Sequence, residues 1–196
     1  MHRYIAIEGI DGSGTTTVSK RVAAELNAMH TAEPWIGSTA TSLIRNALTW
    51  PESRAREDAL CFAFLFQRVE LLALVEERLA FAGERVVSDR CFWSTFAYQS
   101  RAFDVAWLAR TVPARKPDLI VLLDLPVDVA MTRKPPQDNY DSNRAIQEHA
   151  HIMYRLLATE TLEHGSPAWE DVEVVIVDAT QDVETVVDKV LSLIHT

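Results

Sequence analysis

The 196-residue chain, 48% hydrophobic and 24% charged, can bury the core of one medium domain, and its composition is neither disordered nor fibrous. A formal charge of −9 argues against a nucleic-acid polymer as partner, which would demand a basic footprint. No run approaches the ~18 apolar residues of a membrane span, and Met1-His2-Arg3 leads directly into a strand pattern. The expectation is a soluble cytoplasmic chain forming one domain over 1–196, with no membrane contact.

In chain order, Tyr4 to Ile7 is the first apolar strand, followed by a helix whose inner face carries Val18, Val22 and Leu26. Ala28 to Thr31 is a shorter strand candidate. The stretch from about Arg54 to Phe81 reads as a long helix closed by Gly83, where a left-handed cap is convenient. Arg85 to Ser88 and Leu119 to Leu123 read as strands, and Arg133-Lys134-Pro135-Pro136 interrupts the pattern because paired prolines cannot continue a helix. A mobile lid is expected there, over about 133–142. A second long helix is expected over Asn143 to Glu163, then a strand over Val172 to Val177. A last helix follows, with Val183, Val186, Val187, Val190, Leu191 and Ile194 at 3/4 spacing and packed on the sheet. Strands alternating with helices favour a parallel sheet with crossover helices.

Cys61 and Cys91 have neither CxxC spacing nor a framework of further cysteines, so two reduced, inert thiols are expected. His149 and His151 resemble a metal pair, but i and i+2 positions on a helix point to different faces. No protein-ligated transition metal is expected.

The chemistry concentrates after the first strand, where Glu8-Gly9-Ile10-Asp11-Gly12-Ser13-Gly14-Thr15-Thr16-Thr17 leads into a helix. This is the strand–loop–helix context of a phosphate-binding loop. Gly9, Gly12 and Gly14 let successive N–H groups turn toward phosphate oxygens at a helix N-terminus, and Thr16 takes the position of the magnesium-ligating hydroxyl. One residue departs from the GxxxxGK[ST] pattern: Thr15 stands where lysine is usual. A glycine turn without a ligand is the alternative for this segment taken alone.

Together with the later segments, this loop resembles the thymidylate kinase family over nearly the whole chain. Thr31-Ala32-Glu33-Pro34 followed by Leu43-Ile44-Arg45 is similar to that family's Glu-Pro loop and the arginine that holds the acceptor phosphate, with Ala32 where an arginine is common. Phe62 to Arg68 resembles the segment whose phenylalanine stacks on thymine and whose arginine holds the nucleotide, which maps onto Phe64 and Arg68. Gln67 replaces a common Asp or Asn. The i, i+4 spacing independently puts an aromatic plane and a guanidinium on one helix face. The plainer alternative is a core Phe64 and a surface Arg68.

Ser88-Asp89-Arg90, continued by Ser94-Thr95-Phe96-Ala97-Tyr98-Gln99, resembles the family's Asp-Arg motif at the carboxyl end of a strand, where α/β sheets gather ligands. The resemblance implies that Arg90 bridges donor and acceptor phosphates, Asp89 assists magnesium or its waters, Thr95 meets the base edge, Tyr98 lies beneath the deoxyribose and Asp11 sits near its 3′-hydroxyl. An Asp89 helix cap and a core Tyr98 are the structural alternatives. Pro117 to Pro126 resembles the next core strand, Val127 to Arg133 the helix before the lid, and Asp138-Asn139-Tyr140-Asp141 the lid's exit. Thr180, in Asp178-Ala179-Thr180-Gln181, is similar to the loop that passes the ATP adenine.

The implied fold is a P-loop NTPase-type three-layer α/β fold, a central parallel sheet flanked by helices with a short lid. The implied activity is transfer of phosphate from ATP, with Mg2+, to a deoxynucleoside monophosphate, dTMP first, by a homodimer. Donor contacts fall to Gly9, Gly12, Ser13, Gly14, Thr15, Thr16, Thr17, Arg133 and Thr180. Acceptor contacts fall to Asp11, Glu33, Pro34, Arg45, Phe64, Arg68, Arg90, Thr95 and Tyr98. Asp11, Asp89, Arg90, Arg133 and Lys134 carry the transfer, with Lys134 and then Arg133 the candidates to replace the missing lysine. A kinase for another or modified deoxynucleotide, and a catalytically silent nucleotide binder, are the competing readings.

Overall fold

Tyr4–Glu8 forms strand β1, and all five of its residues are buried. A strand covered on both faces is what an apolar run between crossover helices should give. The protein is described by a computed structural model over residues 2–112, 115–133, 142–159 and 172–194. The elements that follow are helix α1 (Thr15–Glu25), strand β2 (Met29–Ala32) and helices α2 (Thr41–Ala47) and α3 (Arg54–Leu79). Strand β3 (Val86–Asp89) leads to helices α4 (Phe92–Gln99) and α5 (Val105–Thr111), then strand β4 (Leu119–Asp124). Helices α6 (Val127–Arg133) and α7 (Arg144–Ala158), strand β5 (Glu173–Asp178) and helix α8 (Val183–Ile194) complete the described chain.

The strands form one sheet in the order β2-β3-β1-β4-β5, parallel at every pairing. Ile5 lies between Val87 and Leu119, and Ile7 between Asp89 and Val121, so β1 is central. The loops leaving β1 and β3 therefore emerge side by side at the carboxyl edge, the place where open α/β sheets bind ligands. Helices α1 and α8 pack together as one layer over the sheet, while α3, α4 and α7 form the second. Ile5, Ile7, Val87, Leu119, Ile120 and Val121 are wholly buried. Each side chain of this kind stabilises the fold by roughly 1.5–3 kcal/mol through removal from water.

Local chemistry fixes the helix starts. The side chains of Ser53, Asp104 and Asn143 accept from the backbone N–H groups of Arg56, Trp107 and Ile146 and so cap α3, α5 and α7. Helix α5 is absent from the sequence reading. It is about two turns long and buries Leu108 alone, too little apolar periodicity to stand out, although Asp104 before it is a readable cap.

Three expectations need correction. Helix α3 ends at Leu79 with right-handed Ala80 as its cap, and Gly83, at φ +82°, serves the turn after it. Val183 opens α8 at 38% exposure, whereas Val186, Val187, Val190 and Ile194 turn inward. The expected helix over 143–163 is Arg144–Ala158, and 160–163 fall outside the described residues. Among the described residues no helix is long and apolar enough to cross a membrane.

Candidate active site

The loop after β1 is shaped by its glycines. Gly12 sits at φ +84°, and a Cβ there would lie 2.2 Å from the carbonyl oxygen of Ala130. Only glycine fits. Gly14, at φ +99°, is the N-cap of α1, so the first N–H groups of that helix open toward the loop. Thr15, where a lysine is usual, is buried at 6% exposure. The loop thus offers backbone donors and hydroxyls but no cation of its own.

Thr16 donates its hydroxyl to Asp89 Oδ2 at 2.5 Å, which ties the start of α1 to the end of β3. The other carboxylate oxygen, Asp89 Oδ1, is buried without a hydrogen-bond partner. Next to it Arg90 adopts a left-handed backbone at φ +73°, pinned by its N–H on Ile7 O at 2.9 Å and by Ser88 Oγ on its carbonyl at 2.5 Å. Non-glycine residues rarely hold such angles, and those that do cluster at functional sites.

The Arg90 guanidinium donates to Asp11 Oδ1 at 2.7 Å, to Tyr154 Oη at 3.1 Å and to Ser94 Oγ at 3.3 Å, and lies 5.5 Å over the Tyr98 ring. Burial opposes its charge, but Tyr98, Tyr154, Asp11 and Glu8 outweigh that and raise its pKa. Asp11 Oδ2 accepts from Gln147 Nε2 at 2.9 Å and from Tyr98 Oη at 3.1 Å. Burial raises the Tyr98 pKa well above the ordinary phenol, so Tyr98 stays protonated near neutral pH.

On the far side Arg68 forms a two-toothed pair with Glu33, with Nε on Oε1 at 3.0 Å and Nη2 on Oε2, and donates to Thr95 Oγ1 at 2.9 Å. Arg68 is 2% exposed. It stands behind the wall made by Glu33 and Thr95.

A single cavity of about 810 Å³ joins these parts. One wall is the loop and helix start after β1, with Gly12, Gly14, Thr15, Thr16 and Thr17, and the other carries Asp11, Glu33, Pro34, Arg45, Phe64, Thr95 and Tyr98. Asp89 and Arg90 lie between, and Arg133 lines the rim while donating to Ala179 O at 2.7 Å and Thr180 O at 3.1 Å. Gly9, Ser13, Arg68 and Thr180 are not among the lining residues; Thr180 reaches the site through Arg133. Lys134 and the expected lid over 134–141 lie outside the described residues.

Sequence reading missed Glu8, Ser94, Gln99, Gln147 and Tyr154. Gln99 lines the cavity at 2% exposure with its Oε1 unpartnered. Gln147 and Tyr154 were detectable as polar residues seven apart on the apolar face of α7. Other titratable groups stand apart: burial pushes the Cys61 thiol up to about 11 and raises the Cys91 thiol too, which makes both unreactive near neutral pH. His149 bonds Ser100 while His151 faces Asp124.

A parallel sheet whose first strand runs through a glycine loop into a helix N-terminus, opposite a pocket of arginines and an aromatic ring, defines a P-loop enzyme of phosphoryl transfer. Residues 7–190 match the family described as Thymidylate kinase, and the chain belongs to that family of nucleoside monophosphate kinases. It is similar to proteins named "Probable thymidylate kinase" in three archaea. That of Methanothermobacter thermautotrophicus is 35% identical over 142 residues, 70% of this chain and 72% of the relative. That of Methanococcus maripaludis strain C7 is 32% identical over 198 residues, 99% and 96% of the two chains. That of Thermococcus kodakarensis is 30% identical over 209 residues, 98% and 97%.

Proposed function

We propose that this chain transfers the γ-phosphoryl group of ATP to dTMP, forming ADP and dTDP. The observation that carries this reading is the shared cavity, where Arg90 stands between a phosphate loop and a second pocket with its own aromatic ring and arginine. Phosphoryl transfer needs alignment and charge neutralisation more than covalent help, because the attacking phosphate oxygen is already anionic. Backbone N–H groups from Gly12 to Thr17 hold the donor phosphates, with Arg133 and Thr180 on the adenine side. Arg45 takes the acceptor phosphate, Phe64 stacks on the base, Thr95 and Gln99 meet its edge, and Tyr98 and Asp11 meet the sugar. Arg68 acts from behind by orienting Thr95 and Glu33.

The donor set fits magnesium: a threonine hydroxyl and Asp89, with its buried unpartnered oxygen, are hard ligands of the kind that leave the remaining positions to water and phosphate. When bound, the ion would supply charge neutralisation on the phosphates. Arg133 and Lys134, at the start of a lid over about 133–142, are proposed to replace the missing loop lysine. The family resemblance and the apolar stripe Phe62, Phe66 and Val69 on the outer face of α3, each more than half exposed, support a homodimer working in the cytoplasm. Light scattering on wild type and Phe66→Asp tests this: a monomeric wild type overturns it.

ADP formation across the deoxy- and ribonucleoside monophosphates tests the main reading. The fastest turnover should come with dTMP, and equal turnover of AMP, GMP and CMP would sink the specificity. Thr15 favours one competitor, a nucleotide binder without turnover. An inactive wild type that Thr15→Lys makes active would establish that competitor.

A further inference from the structure

Glu8 is wholly buried at the end of β1, one residue before the phosphate loop. Its carboxylate accepts four hydrogen bonds. Oε1 takes the backbone N–H groups of Cys91 at 2.8 Å and Ser94 at 3.1 Å. Oε2 takes the hydroxyls of Tyr154 at 2.8 Å and Ser94 at 2.9 Å. The two backbone N–H groups can only donate, and the two hydroxyls, 2.9 Å from each other, converge on Oε2, while burial raises the Glu8 pKa. The same two hydroxyls then have lone pairs free to accept from Arg90, and both receive its Nη1.

We propose that Glu8, acting through Ser94 and Tyr154, is the positioning residue that sets the Arg90 guanidinium for transfer. The proposal rests on the kinase reading given above. Asp11 holds one end of the guanidinium directly, at Nη2; Glu8 holds the other, at Nη1, through two hydroxyls. The two backbone bonds from Glu8 also fix the start of α4, the helix that brings Ser94. A guanidinium fixed at both ends meets the developing phosphoryl charge without first reorganising, which is where preorganised electrostatic groups gain their effect. Arg90 is held this firmly beside a phosphate loop that has Thr15 in place of the usual lysine.

The test is a mutant cycle on single-turnover transfer with ATP and dTMP, using Tyr154→Phe, Glu8→Gln and Arg90→Ala. Tyr154→Phe, which removes one hydroxyl and little volume, should lower kcat about tenfold with an unchanged KM for ATP, as loss of one hydrogen bond to a charged group does. In an Arg90→Ala background the same change should have almost no effect, because the relay then has nothing to position. A fall of equal size in both backgrounds would overturn the proposal, since a merely structural role acts whether or not Arg90 is present. If wild type transfers phosphate to no monophosphate, the kinase reading fails, and a measurement without turnover still decides the relay. In 15N-labelled protein the Arg90 Nη groups, assigned through Arg90→Lys, should rotate slowly in wild type and faster in Tyr154→Phe and Glu8→Gln. Equal rotation in all three refutes it.

Discussion

The two halves of the cavity are built on opposite plans. The donor half uses backbone: glycines, helix N–H groups and threonine hydroxyls, with Thr15 where a positive side chain is usual. The acceptor half uses charged side chains already paired: Arg68 with Glu33, and Arg90 with Asp11. Phosphate recognition by backbone, as proposed for this loop, is encoded within a few neighbouring residues and should survive the loss of one side chain. Recognition by paired arginines depends on partners from distant elements, so it should fail abruptly when one partner is removed. The predictions below try that contrast in order of size.

The largest effect is expected at Glu33. With Glu33→Ala, Arg68 remains buried without its carboxylate, and breaking a buried pair from one side typically costs about 3–5 kcal/mol. Urea unfolding should show a loss of unfolding free energy of that order and a correspondingly lower midpoint, while Thr17→Ala, exposed in the first turn of α1, should change it hardly at all. Comparable midpoints in the two variants would mean that the acceptor half does not depend on its pairs.

Next comes the missing lysine. If Arg133 and Lys134 supply the charge that Thr15 lacks, replacing either with Ala should lower kcat by about 10²-fold while sparing acceptor KM, as removal of one preorganised group does. Thr15→Lys should then add little. Stopped-flow transfer on the three variants checks this, and an active wild type indifferent to both alanine changes removes the compensation idea.

A smaller and purely acceptor-side effect is expected for Phe64→Ala. Stacking is present before and during transfer, so its loss should raise dTMP KM about tenfold, within the range for base–aromatic contacts, with kcat nearly unchanged. A selective fall in kcat would place Phe64 elsewhere in the chemistry.

The same contrast explains what could be read from sequence. The strands and the phosphate loop were legible because apolar period, β-branching and glycine spacing are local signals, and each strand stands within about a residue of its expected place. Phe64 and Arg68 were correctly placed four apart on one helix, but that spacing cannot say that Arg68 turns behind the wall. Its position is set by Glu33, 35 residues earlier, and Thr95, 27 later. Tyr154 meets Glu8 across 146 residues, and no local pattern encodes such a meeting. Helix α5 was missed for a different reason: one inward residue leaves almost no period to detect.

The smallest effect expected is a pH dependence at the base of the acceptor half. His149 on α7 bonds Ser100, the cap residue of α4, and burial together with the Arg101 charge lowers its pKa. An unfolded histidine titrates near about 6.5. Between that value and the lower folded one, the unfolded chain binds more protons, so stability rises with pH across the window. The contribution is present in full above about pH 6.5, fades as pH falls toward the folded pKa, and does not change further once both states are protonated. His30, whose pKa burial also lowers, adds a term of the same sign from the donor side, so no single variant removes the whole slope. His149→Gln should flatten part of the fall in urea midpoint between about pH 7 and pH 5. Because α7 also brings Gln147 and Tyr154 to the site, acidification of wild type should raise dTMP KM before it affects ATP KM. Midpoints and both KM values measured across that range decide it: an unchanged slope in His149→Gln, or ATP KM rising first, would show that the α4–α7 junction does not carry the acid sensitivity of the acceptor half.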